Sequence, residues 1–192
     1  MQDRQFQRFI EYTNSQFERK GIRRKYTGEP YINHCLELVS ILDEFGIDDF
    51  RSKMIAVGHD LLEDIDDIWP SDIVQLFREI EIDDVDSFKI VDGIIGLTDN
   101  FTAKSYPKLN RKIRKQREAE RLSELPSKLQ SIKYADLISN TKSIIEHDEK
   151  FAKIYLNEKE QLLKLMVNGD QRLFHAAKSL LNEQLFKISR IS

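Results

Sequence analysis

The chain has a single cysteine, Cys35. That count excludes an intramolecular disulfide framework and any multi-cysteine zinc site. No apolar run reaches 18 residues, so no membrane-spanning helix is expected. The opening stretch, MQDRQFQRFIEY, lacks the apolar core of a secretory signal. Basic charge is not in excess either: 30 Lys and Arg against 33 Asp and Glu leave a net −3, with no general reason to expect nucleic-acid binding. Repeats, low-complexity tracts and linker-like stretches are also missing. What remains is an ordinary water-soluble composition, 40% hydrophobic and 33% charged, in 192 residues that can bury a full core. The expectation is one domain over residues 1–192, located in the cytoplasm.

Period-two alternation is nearly absent, while helical period runs through almost every segment, so the expected fold class is all-α. A first helix over about 4–19 turns Phe6, Phe9, Ile10 and Phe17 inward. A second opens at Pro30, carries Ile32, Leu36, Val39, Ile41 and Leu42, and stops at Gly46 in a left-handed cap. Asp48 or Asp49 caps a third that runs on through His59-Asp60. A short helix follows from Pro70 to about Phe77, with Trp69 as a packing anchor. The next covers 85–97, with Val85, Phe88, Val91 and Ile95 inward. After Pro107 comes a basic helix, then helices over Lys128 to about Glu146, 149–167 and 170–187.

Gly58-His59-Asp60-Leu61-Leu62-Glu63-Asp64 stands out against this background. Met54, Ile55, Ala56, Val57, Leu61, Leu62 and Ile65 make the run read as buried, yet it carries one histidine and three carboxylates. Buried ionised carboxylates are costly unless paired or bound to metal. On a continuous helix His59 lies under Glu63 and Asp60 under Asp64, one turn apart, which gathers the four groups into one patch. His34 on the second expected helix and Asp136 on the seventh extend the set to two imidazoles and two carboxylates. Such a mixed nitrogen and oxygen set suits Mn²⁺ or another octahedral divalent ion better than structural zinc. Charge is unevenly spread around it. Residues 60–86 hold eleven acids, residues 104–121 hold eight bases, and Arg19-Lys20-Gly21-Ile22-Arg23-Arg24-Lys25 forms a second basic cluster. An acidic centre flanked by basic segments suits a small polyanion; the alternative for each cluster is a solvated helix face.

Arg23-Arg24-Lys25 followed by Gly28-Glu29-Pro30-Tyr31-Ile32-Asn33-His34, then His59-Asp60-x-x-Glu63-Asp64, then Ala135-Asp136-x-x-x-Asn140, resembles the HD-domain hydrolases of the RelA/SpoT type. The closest likeness is to their stand-alone members, the small alarmone hydrolases of the metazoan SpoT-homolog kind. It runs over roughly residues 5–165 and includes Pro107-Lys108-Leu109-x-Arg111-Lys112. The resemblance implies an all-α HD-domain helical bundle that binds one Mn²⁺. It also implies removal of pyrophosphate from the 3′ position of guanosine tetra- or pentaphosphate, (p)ppGpp. Carried over by residue, it makes His34, His59, Asp60 and Asp136 the metal ligands and Glu63 and Asp64 the catalytic acid pair. Asn140 matches a polar contact near the phosphate, Arg24 and Lys25 match nucleotide-contacting bases, and Tyr155 matches a tyrosine near the nucleoside. Lys108 and Arg111 join the bases that could hold the diphosphate.

Three positions depart from the family pattern. Leu137 follows Asp136 where a base is usual, Cys35 follows His34 where proline is common, and Phe151 stands where some stand-alone members have arginine. No ligand is lost, but the base side of the substrate is left open between guanosine alarmones, their adenosine counterparts (p)ppApp and the 2′-phosphate of NADPH. The alternative from another class is a non-catalytic nucleotide-binding protein, which the presence of all four ligands and the acid pair disfavours. Since the chain ends near residue 192, no synthetase or regulatory domain is expected to follow. The expected partner is a small nucleotide substrate, with no nucleic acid and no membrane.

Overall fold

The computed structural model describes residues 1–142 and 144–191, except for the side chains of Glu146, Lys150 and Ile191. Its regular structure among the described residues is α-helical, in eleven segments, as the periodicity predicts. The chain divides into two compact units, Met1–Thr98 and Asp99–Ser192. No helix is long and apolar enough to cross a membrane among the described residues.

The first unit contains α1 (Gln2–Lys20), α2 (Ile32–Glu44), α3 (Phe50–Gly58), α4 (Leu61–Asp64), α5 (Pro70–Glu79) and α6 (Asp84–Leu97). Its centre is α3, which packs against α1, α2 and α6. Of the two candidate caps Asp49 is the one used: its carboxylate accepts from the Ser52 N–H at 3.3 Å and the Ser52 hydroxyl at 2.7 Å. From Met54 to Gly58 every residue of α3 is buried. At Gly58 a Cβ would lie 2.7 Å from Ile94 Cδ1 and 2.8 Å from the Phe9 ring. The missing side chain is therefore what lets α1 and α6 close on the residue just before His59. At the other end of α2, Gly46 (φ 75°) takes the left-handed turn expected of it.

Four expectations are corrected in this unit. Pro30 does not open α2; it pairs with Arg23 in an isolated antiparallel bridge, and α2 begins at Ile32. Leu36, expected inward, is 37% exposed, because the inward face of α2 is taken by His34, Cys35, Leu38 and Leu42. On α6 the buried stripe is Ile90, Val91, Ile94 and Leu97, whereas Val85, Phe88 and Ile95 are exposed. Several faces of that helix are apolar, and sequence periodicity chose the wrong phase. Trp69 is 66% exposed and anchors nothing; Asp72 instead closes the start of α5 by accepting from the Trp69 N–H at 2.8 Å.

The second unit contains α7 (Arg111–Ser123), α8 (Ser127–Thr141), α9 (Ile144–His147), α10 (Glu149–Leu165) and α11 (Gln171–Ile191). α11 packs on α8 and α10, and α10 on α7. Asn110 caps α7 and Asp148 caps α10 through side-chain acceptors 3.0 and 3.1 Å from the N–H groups of Ile113 and Phe151. The helix expected from Lys128 to Glu146 ends at Thr141, with the short α9 after it; Ser143 lies outside the described residues.

Two substitutions check this packing by urea denaturation. Gly58→Ala should cost about 1–3 kcal/mol, since its Cβ forces Phe9 and Ile94 apart. Ile94→Ala should cost about 2–5 kcal/mol while Phe88→Ala on the same helix stays within about 0.5 kcal/mol; equal costs would restore the face read from sequence.

Candidate metal centre

His34 sits in the first turns of α2, fully buried, and His59 follows the last residue of α3, 2% exposed at its side chain. Their rings lie edge to face, with centroids 5.2 Å apart. Asp60 completes the group: its Oδ2 is 2.7 Å from His59 Nε2 and 3.8 Å from His34 Nε2. The Tyr31 hydroxyl donates to that same oxygen at 2.8 Å. His59 Nδ1 lies 2.9 Å from the Ala56 carbonyl, which fixes the ring and turns Nε2 toward Asp60. Burial alone would lower the His59 pKa, but the Asp60 carboxylate beside it, joined by Cys35, more than offsets this and holds it well above the usual histidine range. Two imidazole nitrogens facing one carboxylate oxygen form a donor set that a divalent cation fits.

The continuous helix expected through the His59-Asp60 pair is absent. α3 ends at Gly58, and Asp60 (φ −99°, ψ −2°) re-aims the chain into the four-residue α4. Asp60 continues the turn through its carbonyl, which accepts from the Glu63 and Asp64 N–H groups at 3.2 and 2.9 Å. The four polar side chains do not form one buried patch: His59 is buried, Asp60 half-buried, and Glu63 and Asp64 exposed. Just beyond, the exposed ion pairs Arg19–Asp67 at 2.8 Å and Lys20–Asp66 at 2.7 Å tie the end of α1 to the loop after α4. Arg19 and Lys20 therefore serve the fold.

Arg24 and Lys25 lie in the turn before α2. The Arg24 N–H donates to the Glu29 carbonyl and its own carbonyl accepts from Gly28 N–H, both at 2.9 Å. Arg24 is half-buried and Lys25 exposed.

The remaining candidates belong to the second unit. Asp136 is buried in α8, one oxygen 2.9 Å from Lys133 Nζ and the other accepting from Asn140 Nδ2 at 2.6 Å. Asn140 thus sets the carboxylate's orientation. Lys108 is exposed in the turn before α7, and Tyr155 is half-buried on α10, with the Phe151 ring 6.3 Å away. Much of the basic helix is already engaged. Arg111 grips Glu158 through two nitrogens at 2.6 and 2.9 Å and stands over the Phe151 ring, while Lys115 pairs with Asp99 at 2.7 Å. Sequence reasoning missed Tyr31 and Lys133. Lys133 was within reach, because a lysine three residues before a buried helical aspartate faces it; the Tyr31–Asp60 contact spans 29 residues and leaves no local signal.

No protein-family model and no curated protein sequence matches the chain. Among solved structures, one similar chain is a metazoan SpoT ortholog described as hydrolysing ppGpp and playing a role in starvation responses. The two share 20% sequence identity and superpose with a TM-score of 0.77 over 94% of this chain and 95% of that one. The chain therefore shares the all-α fold of that ppGpp hydrolase.

Proposed function

We propose that this protein is a metal-dependent alarmone hydrolase that removes the 3′-pyrophosphate of (p)ppGpp, giving GDP or GTP and pyrophosphate. The observation that carries the proposal is the His34, His59 and Asp60 cluster, two imidazoles and a carboxylate in the fold shared with a ppGpp hydrolase. In this reading the protein acts as one 1–192 domain in the cytoplasm, and Asp136 supplies a fourth ligand to a single Mn²⁺.

A divalent ion held there would lower the pKa of a bound water and neutralise charge on a phosphoryl oxygen. The protein's own groups do the rest. Tyr31 and the Ala56 carbonyl hold Asp60 and His59 in place, as Lys133 and Asn140 hold Asp136. Glu63 and Asp64, on their separate short helix, orient and deprotonate the attacking water. Its oxygen adds to the phosphorus next to the ribose 3′ oxygen, the bond between that phosphorus and the 3′ oxygen breaks, and the proton taken from water passes to the leaving 3′ oxygen. Arg24, Lys25 and Lys108 bind the diphosphate and stabilise the charge that develops on it. Asn140 meets the phosphate near the metal, and Tyr155 lies beside the nucleoside.

The test is hydrolysis by Mn²⁺-loaded protein of guanosine and adenosine 3′-diphosphate alarmones, NADPH and plain mononucleotides. Pyrophosphate release from a guanosine alarmone, abolished by a chelator, is the expected result. Release from the adenosine compound alone would change the base, and orthophosphate from NADPH alone would replace the reaction. Metal binding without turnover across the panel would favour a nucleotide-binding protein. Glu63→Gln with Asp64→Asn should leave metal bound and lower kcat by about 10²–10⁴; unchanged turnover would remove the acid pair from the chemistry. Tyr31→Phe should weaken Mn²⁺ binding about tenfold or more, as measured by calorimetry.

A further inference from the structure

Four cations of the second unit gather where α7, α8 and α10 meet, and three of them have a carboxylate. Arg111 takes Glu158, Lys115 takes Asp99 and Lys133 takes Asp136. Lys159 is the fourth. It makes no ion pair among the described residues, and its ammonium stands over the Tyr155 ring, 5.2 Å from the centroid.

The surroundings are unfavourable for a lone ammonium. Burial lowers the Lys159 pKa, Lys133 and Lys115 press the same way, and Asp136 and Asp99 pull it back only in part. A partly desolvated cation whose nearby carboxylates, Asp99 and Asp136, are already taken by Lys115 and Lys133 is what a ligand's anion would complete. A cavity of about 30 Å³ beside it, lined by Asp99, Lys115, Lys133 and Glu158, has room for about one water and none for a phosphate.

We propose that Lys159 is a phosphate-binding residue, its ammonium taking a phosphoryl group of the nucleotide substrate beside Tyr155, within electrostatic reach of Asp136. The proposal rests on the function above for the identity of the nucleotide, but the phosphate site itself stands on the pairing of the neighbouring charges. Nothing in a charge run or motif marks Lys159 in the sequence. It is singled out because each cation around it is already paired.

Lys159→Met keeps the stem over Tyr155 and removes the charge, and Lys159→Arg restores the charge. Binding of inorganic pyrophosphate and of ppGpp to the full Mn²⁺-loaded chain is measured by calorimetry, with turnover in parallel. Lys159→Met should weaken both ligands about tenfold or more, raising KM more than it lowers kcat, and Lys159→Arg should recover most of the loss. The melting temperature of Lys159→Met should hold or rise, since an unpaired charge has left a partly buried place; a fall would mark a structural lysine and overturn the proposal. Lys164→Met removes a cation that Glu160 holds at 3.1 Å and should leave binding unchanged. An equal loss there would reduce the effect to general charge and also overturn it. So would pyrophosphate binding that is the same in wild type and Lys159→Met, or absent from both. Failure of the proposed function reads differently: no alarmone is cleaved, yet pyrophosphate binding still depends on Lys159.

Discussion

The contact between His59 and Asp60 is the constraint around which the first unit is organised. Two imidazoles and a carboxylate are costly to withdraw from water, and only mutual neutralisation makes the withdrawal tolerable. Asp60 sits 2.7 Å from one ring and 3.8 Å from the other, and Tyr31 shares its oxygen. The packing follows from that need. α3 must be buried to carry His59 inward, so it lies against α1, α2 and α6, and Gly58 gives up a side chain to allow their approach. α2 must turn His34 inward, which leaves Leu36 partly in solvent.

The second unit solves a related problem with opposite charge. Asp136 is buried in α8 and acceptable there because Lys133 and Asn140 each engage one of its oxygens. Asp99 shows the same balance: burial works to raise its pKa, and Lys133 and Lys115 bring it below the usual range instead. Lysines thus hold carboxylates in the second unit, whereas in the first a carboxylate holds histidines. Both arrangements orient oxygen and nitrogen donors before any ligand arrives, which spares that reorganisation on binding.

Helical periodicity made the fold class readable and placed most elements, and the Asp49 cap was legible because caps are local chemistry that acts within three residues. His59 and Asp60 stood out in the sequence because charged groups in an apolar run demand a partner, whereas His34 entered only through the wider pattern and the family it resembles. The break between α3 and α4 did not stand out, since the apolar run continues across it. The buried face of α6 failed for another reason: with apolar residues on several faces, periodicity has no single answer, and neighbouring helices choose. Tyr31 and Lys159 were invisible because their significance lies in contacts or in neighbouring pairs that only the folded chain assembles.

The interruption after Gly58 divides labour along the chain. His59 and Asp60 belong to the end of a rigid, buried helix, while Glu63 and Asp64 belong to a four-residue piece facing solvent. A substitution in that piece has little core to disturb and no ligand geometry to inherit. Descent with modification can therefore exchange the acids proposed to react while the donor cluster stays intact. The same scaffold is open to new chemistry by a few replacements on one short surface turn, without a return to the folding problem.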